Sequence, residues 1–178
     1  MHTIAVVVPT IREDCFQNWL KCWKPLLRQH GALLIKVVDK EFPTAFAYGY
    51  DGICIEETDS EKLLGTDAHL VCSFTPACRN LGFAWIAKEF PKVEAVLTFD
   101  DDTEPFRDPI EDHIKALNHS VPVSWFVSAA PYMRGFPYSA RKEARVMFSH
   151  GVWRGVPDFD APTQLVNVLP TASRFYCG

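Results

Sequence analysis

The chain has 178 residues, the size of one ordinary domain. Lys plus Arg number 18 against 22 Asp plus Glu, a formal charge of -4. No excess of cations is available to neutralise phosphates, which argues against nucleic acid as a partner. At 48% hydrophobic and 22% charged residues, disorder is excluded and a substantial core can be buried. Thirteen Pro, above the usual ~5%, point to many rigid turns.

Thr3 to Val8 is a β-branched apolar run ended by Pro9, the pattern of a buried strand in a parallel sheet. Phe16, Trp19, Leu20, Trp23, Leu26 and Leu27 then recur at helical spacing, with Pro25 expected to kink or end that helix. Ala32 to Val38 reads as a second buried strand ending at Asp39, and Gly52 to Glu56 as a shorter third. From Ala77 to Phe90, the apolar positions Leu81, Ala84, Trp85 and Ala87 suit a helix lying on a sheet. Val93 to Phe99 is another buried strand and runs straight into Asp100-Asp101-Asp102. Asp108 and Pro109, as N-cap and first helical residue, open a helix to about His119. Strands alternating with helices predict an α/β domain with a mostly parallel sheet flanked by helices. Ligands of such sheets bind beyond the carboxyl ends of the strands, where Pro9 to Arg12, Asp39 and the aspartate triplet are expected to converge.

The opening run MHTIAVVVPTIRED has no Lys or Arg before its apolar segment and is too short for a secretory signal. Asn118 to Met133 is uncharged but broken by Pro122 and Pro131, so no membrane span is expected and the cytoplasm is the default compartment. The six cysteines (Cys15, Cys22, Cys54, Cys72, Cys78 and Cys177) form no CxxC pair and read as reduced thiols. The six histidines lack zinc-binding spacing.

Three adjacent carboxylates at the mouth of an apolar strand repel one another. At ~5 Å and an effective dielectric of about 20, each pair costs on the order of 3 kcal/mol. Solvation, a cationic side chain, or an oxygen-seeking divalent metal must offset this. A solvated acidic turn and a metal site that holds a diphosphate are both consistent with the triplet alone. Arg79, at the start of the third-strand-following helix, offers donors near a helix N-terminus, where phosphate is well received; its other reading is a surface arginine over the sheet. Asp39 could accept hydrogen bonds from a base or ribose, or be a turn residue. Stretches around Arg134, His150 and Asp158 to Gln164 mix Gly, Pro and polar groups with aromatics, as loops that line sites do. From composition alone His150 reads as a hydrogen-bonded, partly buried histidine.

The stretches Val8-Pro9-Thr10-Ile11-Arg12, Ala77-Cys78-Arg79, Phe99-Asp100-Asp101-Asp102, Arg134 to Ser139, Ser149 to Trp153 and Pro157 to Leu165 resemble, in order, the reversibly glycosylated polypeptides, or UDP-arabinopyranose mutases. The resemblance runs from residue 4 to about residue 175. It implies a nucleotide-diphospho-sugar transferase fold (A-type glycosyltransferase), with residues 1–107 as nucleotide-binding part and 108–178 as the start of the sugar or acceptor part of one domain. It implies interconversion of the pyranose and furanose forms of UDP-L-arabinose, with self-glycosylation on an arginine, here Arg134. Catalytic roles fall to Arg134, Asp158 and Asp160. Nucleotide-sugar contacts fall to Pro9, Thr10, Arg12, Asp39, Arg79, Asp100, Asp101 and His150, and Mn2+ or Mg2+ to Asp100 and Asp102. UDP-arabinose and UDP-glucose are the implied ligands, and assembly with like or unlike chains is open. The family usually has Asp-Gly-Asp where Asp39 is followed by Lys40 and Glu41, and Lys-Asp-Ser where Phe74-Thr75-Pro76 stands. Family members continue well past the position of Gly178, and the later segments are expected to complete the sugar pocket.

A guanidinium stays protonated and is a poor nucleophile, so glycosylation of Arg134 needs a carboxylate to take its proton. Asp158 and Asp160 are the nearest candidates, and a purely electrostatic role for Arg134 is the other reading. A non-catalytic UDP-sugar-binding partner subunit and a glycosyltransferase acting on an external acceptor are the rival functions.

Overall fold

A computed structural model describes residues 3–38, 50–56, 58–71, 75–118, 120–121, 144–145 and 148–149. In chain order these form β1 (Ile4–Thr10), α1 (Glu13–Gln29), β2 (Leu33–Val38), β3 (Ile53–Glu56), α2 (Asp59–Leu64), α3 (Arg79–Glu89), β4 (Ala95–Thr98), α4 (Pro109–Asn118), β5 (Ser120–Val121) and β6 (Ala144–Arg145). The first four strands make one parallel sheet in the order β3-β2-β1-β4. The predicted α/β class with a parallel sheet flanked by helices is what the chain adopts, consistent with a nucleotide-sugar transferase fold. Two compact units divide between Ile110 and Glu111. In the second, β5 pairs antiparallel with β6, and the His113 Nδ1 lies 2.7 Å from the Ser149 hydroxyl.

Every residue of β2 is buried, as are Ala5 to Val8 of β1, which explains their apolar runs, interrupted in β2 by Lys36. Side chains alternate across the sheet. Ala5, Val7, Leu33, Ile35, Val37 and Ile55 form one face and pack with Leu81 and Ile86 of α3. Val6, Val8, Leu34, Lys36 and Val38 face the other way, where Lys36 meets Glu13 and Phe16 of α1. The amphipathic α1 buries Phe16, Trp19, Leu20, Trp23 and Leu27. Two residues past its end stands Gly31, whose φ of +57° suits a residue without a Cβ, and the Ala32 N–H returns to the Leu27 carbonyl at 2.9 Å.

Three local expectations are corrected. β1 does not end at Pro9 but continues to Thr10, with Pro9 opposite Val37 of β2. The Val7 carbonyl faces β4, where it accepts the Phe99 N–H at 3.2 Å. By alternation Pro9 faces that way too, beyond the last β4 pairing, so its missing N–H removes no ladder bond. α1 likewise runs through Pro25, which sits on its exposed side, opposite the buried Phe16, Trp19, Leu20, Trp23 and Leu27. In α3, Ile86 is buried and Ala87 exposed, because Leu81, Gly82 and Ile86 set the inward face. A Cβ on Gly82 would stand 2.6 Å from a methyl of Val7, so the close approach of helix to strand requires glycine there. α2 gave no apolar signal in the sequence, and it buries no residue.

Candidate functional site

Strand order reverses between β1 and β4: from β1 the chain builds outward through β2 and β3 on one side and then crosses to β4 on the other. The crevice beyond the carboxyl ends at such a reversal is where sheets of this kind bind ligands. Both strands end there in polar residues, β1 in Thr10-Ile11-Arg12 and β4 in Thr98-Phe99-Asp100-Asp101-Asp102.

The triplet is held from both flanks by α1. Phe99 packs on Trp23 with ring centroids 4.2 Å apart and on Trp19 at 6.4 Å. On the other flank, the Trp23 indole N–H donates to the Thr103 carbonyl at 2.8 Å and the Trp19 indole N–H to the Thr103 hydroxyl at 3.1 Å. Thr103 closes the turn by donating its N–H and hydroxyl to the Asp100 carbonyl, at 3.2 and 2.9 Å.

Within this frame the three carboxylates have different surroundings. Asp101 is buried, with 6% of its side chain exposed. One of its oxygens accepts the Thr10 hydroxyl at 2.6 Å and the other the Arg12 guanidinium at 2.5 Å. Arg12 also reaches Asp102 at 3.4 Å. The Asp101 carboxylate holds the Arg12 guanidinium above its ordinary, already very high, pKa, so this cation is permanent. Thr10 fixes the turn that presents Arg12: its Oγ1 accepts the Arg12 N–H at 3.0 Å. Asp100 and Asp102 are about half exposed. Asp100 takes the Arg79 guanidinium at 2.8 Å. Arg79 also donates to the Pro76 carbonyl at 3.1 Å and to Thr98 Oγ1 at 3.4 Å. Its position at the start of α3 follows from the short 3-10 turn Pro76–Cys78, capped by the Thr75 hydroxyl accepting the Ala77 N–H.

The repulsion expected of three adjacent carboxylates is therefore met by two arginines from different elements. Three formal negative charges against two positive leave one in excess, with Asp100 and Asp102 open to solvent. Among the described residues no three His, Cys, Asp or Glu side chains gather around one point. Such a donor set suits a hard cation that takes one or two carboxylates and fills its remaining positions with phosphate oxygens and water.

Of the residues singled out in the sequence, Pro9, Thr10, Arg12, Arg79, Asp100, Asp101 and Asp102 come together at this rim. Asp39, Arg134, His150, Asp158 and Asp160 lie outside the described residues. Sequence reasoning missed Thr98, Thr103, Trp19 and Trp23 as supports. A Thr three residues after Asp100 is a turn-closing signal, and two Trp one helical turn apart mark a single rigid patch.

The family model described as reversibly glycosylated polypeptide matches residues 1–177. UDP-arabinopyranose mutase 3 of Arabidopsis thaliana is 31% identical over 186 residues, covering 97% of this chain and 49% of its own length. UDP-arabinopyranose mutase 1 of Oryza sativa subsp. japonica and a probable UDP-arabinopyranose mutase 1 of Pisum sativum are each 30% identical over the same shares. The chain thus spans about half the length of these curated relatives. The ordered motifs, the parallel sheet and this match lead to one conclusion: the chain belongs to the reversibly glycosylated polypeptide family.

Proposed function

We propose that the rim between β1 and β4 binds the diphosphate of a UDP-sugar and that the chain carries the nucleotide end of a UDP-arabinopyranose mutase. The observation that carries this reading is the convergence of Arg12 and Arg79 on the aspartate triplet at the reversal of strand order. Asp101 has a structural task, since both its oxygens are engaged. Asp100 and Asp102, half exposed, are the oxygens that would hold Mn2+ or Mg2+. Bound there, a divalent ion supplies charge neutralisation for the departing UDP. Arg12 and Arg79 orient the phosphates through donors that never deprotonate.

In the proposed reaction the bond from the anomeric carbon to the UDP oxygen breaks, and the sugar is held transiently. It then reopens, closes as the other ring form and recaptures UDP. Arg134 is the proposed holder: one guanidinium nitrogen forms the bond to the anomeric carbon and its proton passes to Asp158 or Asp160. When a UDP oxygen re-forms its bond to that carbon, the carbon–nitrogen bond breaks and the aspartate returns the proton to the guanidine. Asp39 is proposed at the uracil and His150 beside the sugar. The relatives' names favour UDP-arabinose as substrate; UDP-glucose is further proposed as a second sugar donor and the cytoplasm as the site of action. Among the described residues, no helix is long and apolar enough to cross a membrane.

Calorimetric titration with UDP, with and without Mn2+, followed by intact-mass measurement after incubation with UDP-glucose, tests the reading. Metal-dependent UDP binding and a single hexose adduct on the Arg134 peptide are expected. Arg12→Met should weaken UDP about ten- to a hundredfold, the worth of one charge-assisted hydrogen bond. Binding of UDP without adduct or interconversion would leave a nucleotide-sugar-binding partner subunit, and absence of any UDP binding would sink the proposal.

A further inference from the structure

Lys36 is an unexpected residue at the centre of a buried strand. It is fully buried in β2, and its Nζ donates to Glu13 Oε2 at 2.5 Å while standing 4.6 Å from the centroid of the Phe16 ring. Both partners belong to the first turn of α1, and Glu13 follows Arg12 directly in the chain. The Glu13 carboxylate also takes the Gln17 amide. The Arg12 carbonyl, in turn, accepts the Phe16 N–H at 3.1 Å. A methionine would fill much the same volume, and the Glu13 left behind, 24% exposed and still accepting the Gln17 amide, would remain hydrated, so the cost of desolvating the ammonium is removed without stranding a buried charge. Stability alone gives no reason for a lysine here, whereas its ion pair and its ring contact both lie on the turn that follows Arg12.

We infer that Lys36 is a positioning residue for Arg12: it pins the start of α1 to β2 and so sets where the Arg12 guanidinium stands relative to Asp101 and the bound diphosphate. The inference rests on the reading of Arg12 as a phosphate contact. It makes the arginine's position depend on a residue 24 positions away in sequence with no access to solvent or ligand.

Lys36→Met, in the full chain, tests it. The urea midpoint should be unchanged or higher, while UDP binds about five- to tenfold more weakly in the presence of Mn2+. In an Arg12→Met background the same substitution should leave the UDP affinity unchanged, because its effect passes through Arg12. An unaltered affinity, an equal loss in both backgrounds, or a loss accompanied by a lower midpoint would overturn the inference. A second measurement needs no nucleotide: phenylglyoxal modification of Arg12, followed by peptide mass spectrometry, should run several-fold faster in Lys36→Met, since the pairing with Asp101 loosens. Equal rates also overturn it. Should the unaltered chain bind no UDP, the functional reading fails on that result, and the modification rates still judge the positioning role.

Discussion

On one face of the sheet, α3 meets Val7, Ile35, Val37 and Ile55 through Leu81, Gly82 and Ile86, an apolar contact flanked by the partly buried Phe83 and Trp85. On the other face, α1 sets Phe16, Trp19 and Trp23, an ion pair and two indole hydrogen bonds against the same strands and the segment after β4. Apolar burial is non-directional, so the α3 face can hold a helix down without dictating where any one atom stands. Hydrogen bonds and ion pairs are directional, and on the α1 face they end at Arg12 and at the turn of the aspartate triplet. The body of α3 supplies cohesion and only its first residue, Arg79, reaches the charged rim, whereas α1 ties both Arg12 and the turn of the aspartate triplet to the sheet.

The sharpest way to break this contrast is to unpair Lys36 without removing it. Glu13→Leu strands the fully buried ammonium and should cost about 3–5 kcal/mol, read from urea unfolding, whereas Lys36→Met, which leaves the partly exposed Glu13 in water, should leave the stability unchanged or higher. Comparable losses from both would mean that the pair acts as ordinary cohesion. On the opposite face, Gly82→Ala should cost about 1–3 kcal/mol through overpacking against Val7, despite alanine's better helix propensity. Adding Val7→Ala should recover part of that loss, and purely additive effects would refute the steric account.

Pro25→Ala, on the exposed side of α1, should raise stability by about 2 kcal/mol. An interior proline costs a helix about 3 kcal/mol, and roughly 1 returns through the freer unfolded chain. UDP affinity should not change, which separates the length of α1 from the placement of its first turn. The smallest effect concerns Cys54, opposite Lys36 in register on β3. Burial pushes its thiol pKa up, and the Lys36 charge opposes that shift. A raised folded pKa means that the stability contribution is complete below the unfolded thiol's value, ~8.5, and is lost as pH rises from there through the folded value. Cys54→Ala should flatten the alkaline limb of the stability profile, and iodoacetamide at pH 8 should label exposed Cys22 faster than Cys54.

The central strands β1 and β2 were legible because burial on both faces leaves nearly continuous apolar runs, whereas the buried strand expected over Val93 to Phe99 is the shorter edge strand β4, in which only Leu97 is buried. The triplet was legible because three carboxylates in a row must find cations. What sequence periodicity could not show was which cations. Arg12 and Arg79 lie 89 and 21 positions from their partners, and only strand order brings them together. Pro9 and Pro25 misled for a related reason. A proline's cost depends on whether its nitrogen faces a neighbour, which is a property of register and exposure. Lys36 passed unnoticed within an apolar run because a single charge barely alters a hydrophobic pattern, however much it alters the interior. The metal and sugar assignments rest on family resemblance, since a cofactor leaves no periodic trace.

Trp19 and Trp23 hold the triplet's turn, while Arg12, at the start of the same helix, holds its middle carboxylate. Anchor and counter-charge thus share one stiff rod. If α1 rocks against the sheet, both travel with it, so the spacing inside the ion pair is preserved while the whole rim shifts as a unit. Substrate pulling on that rim would meet the stiffness of a 17-residue helix rather than that of a loop.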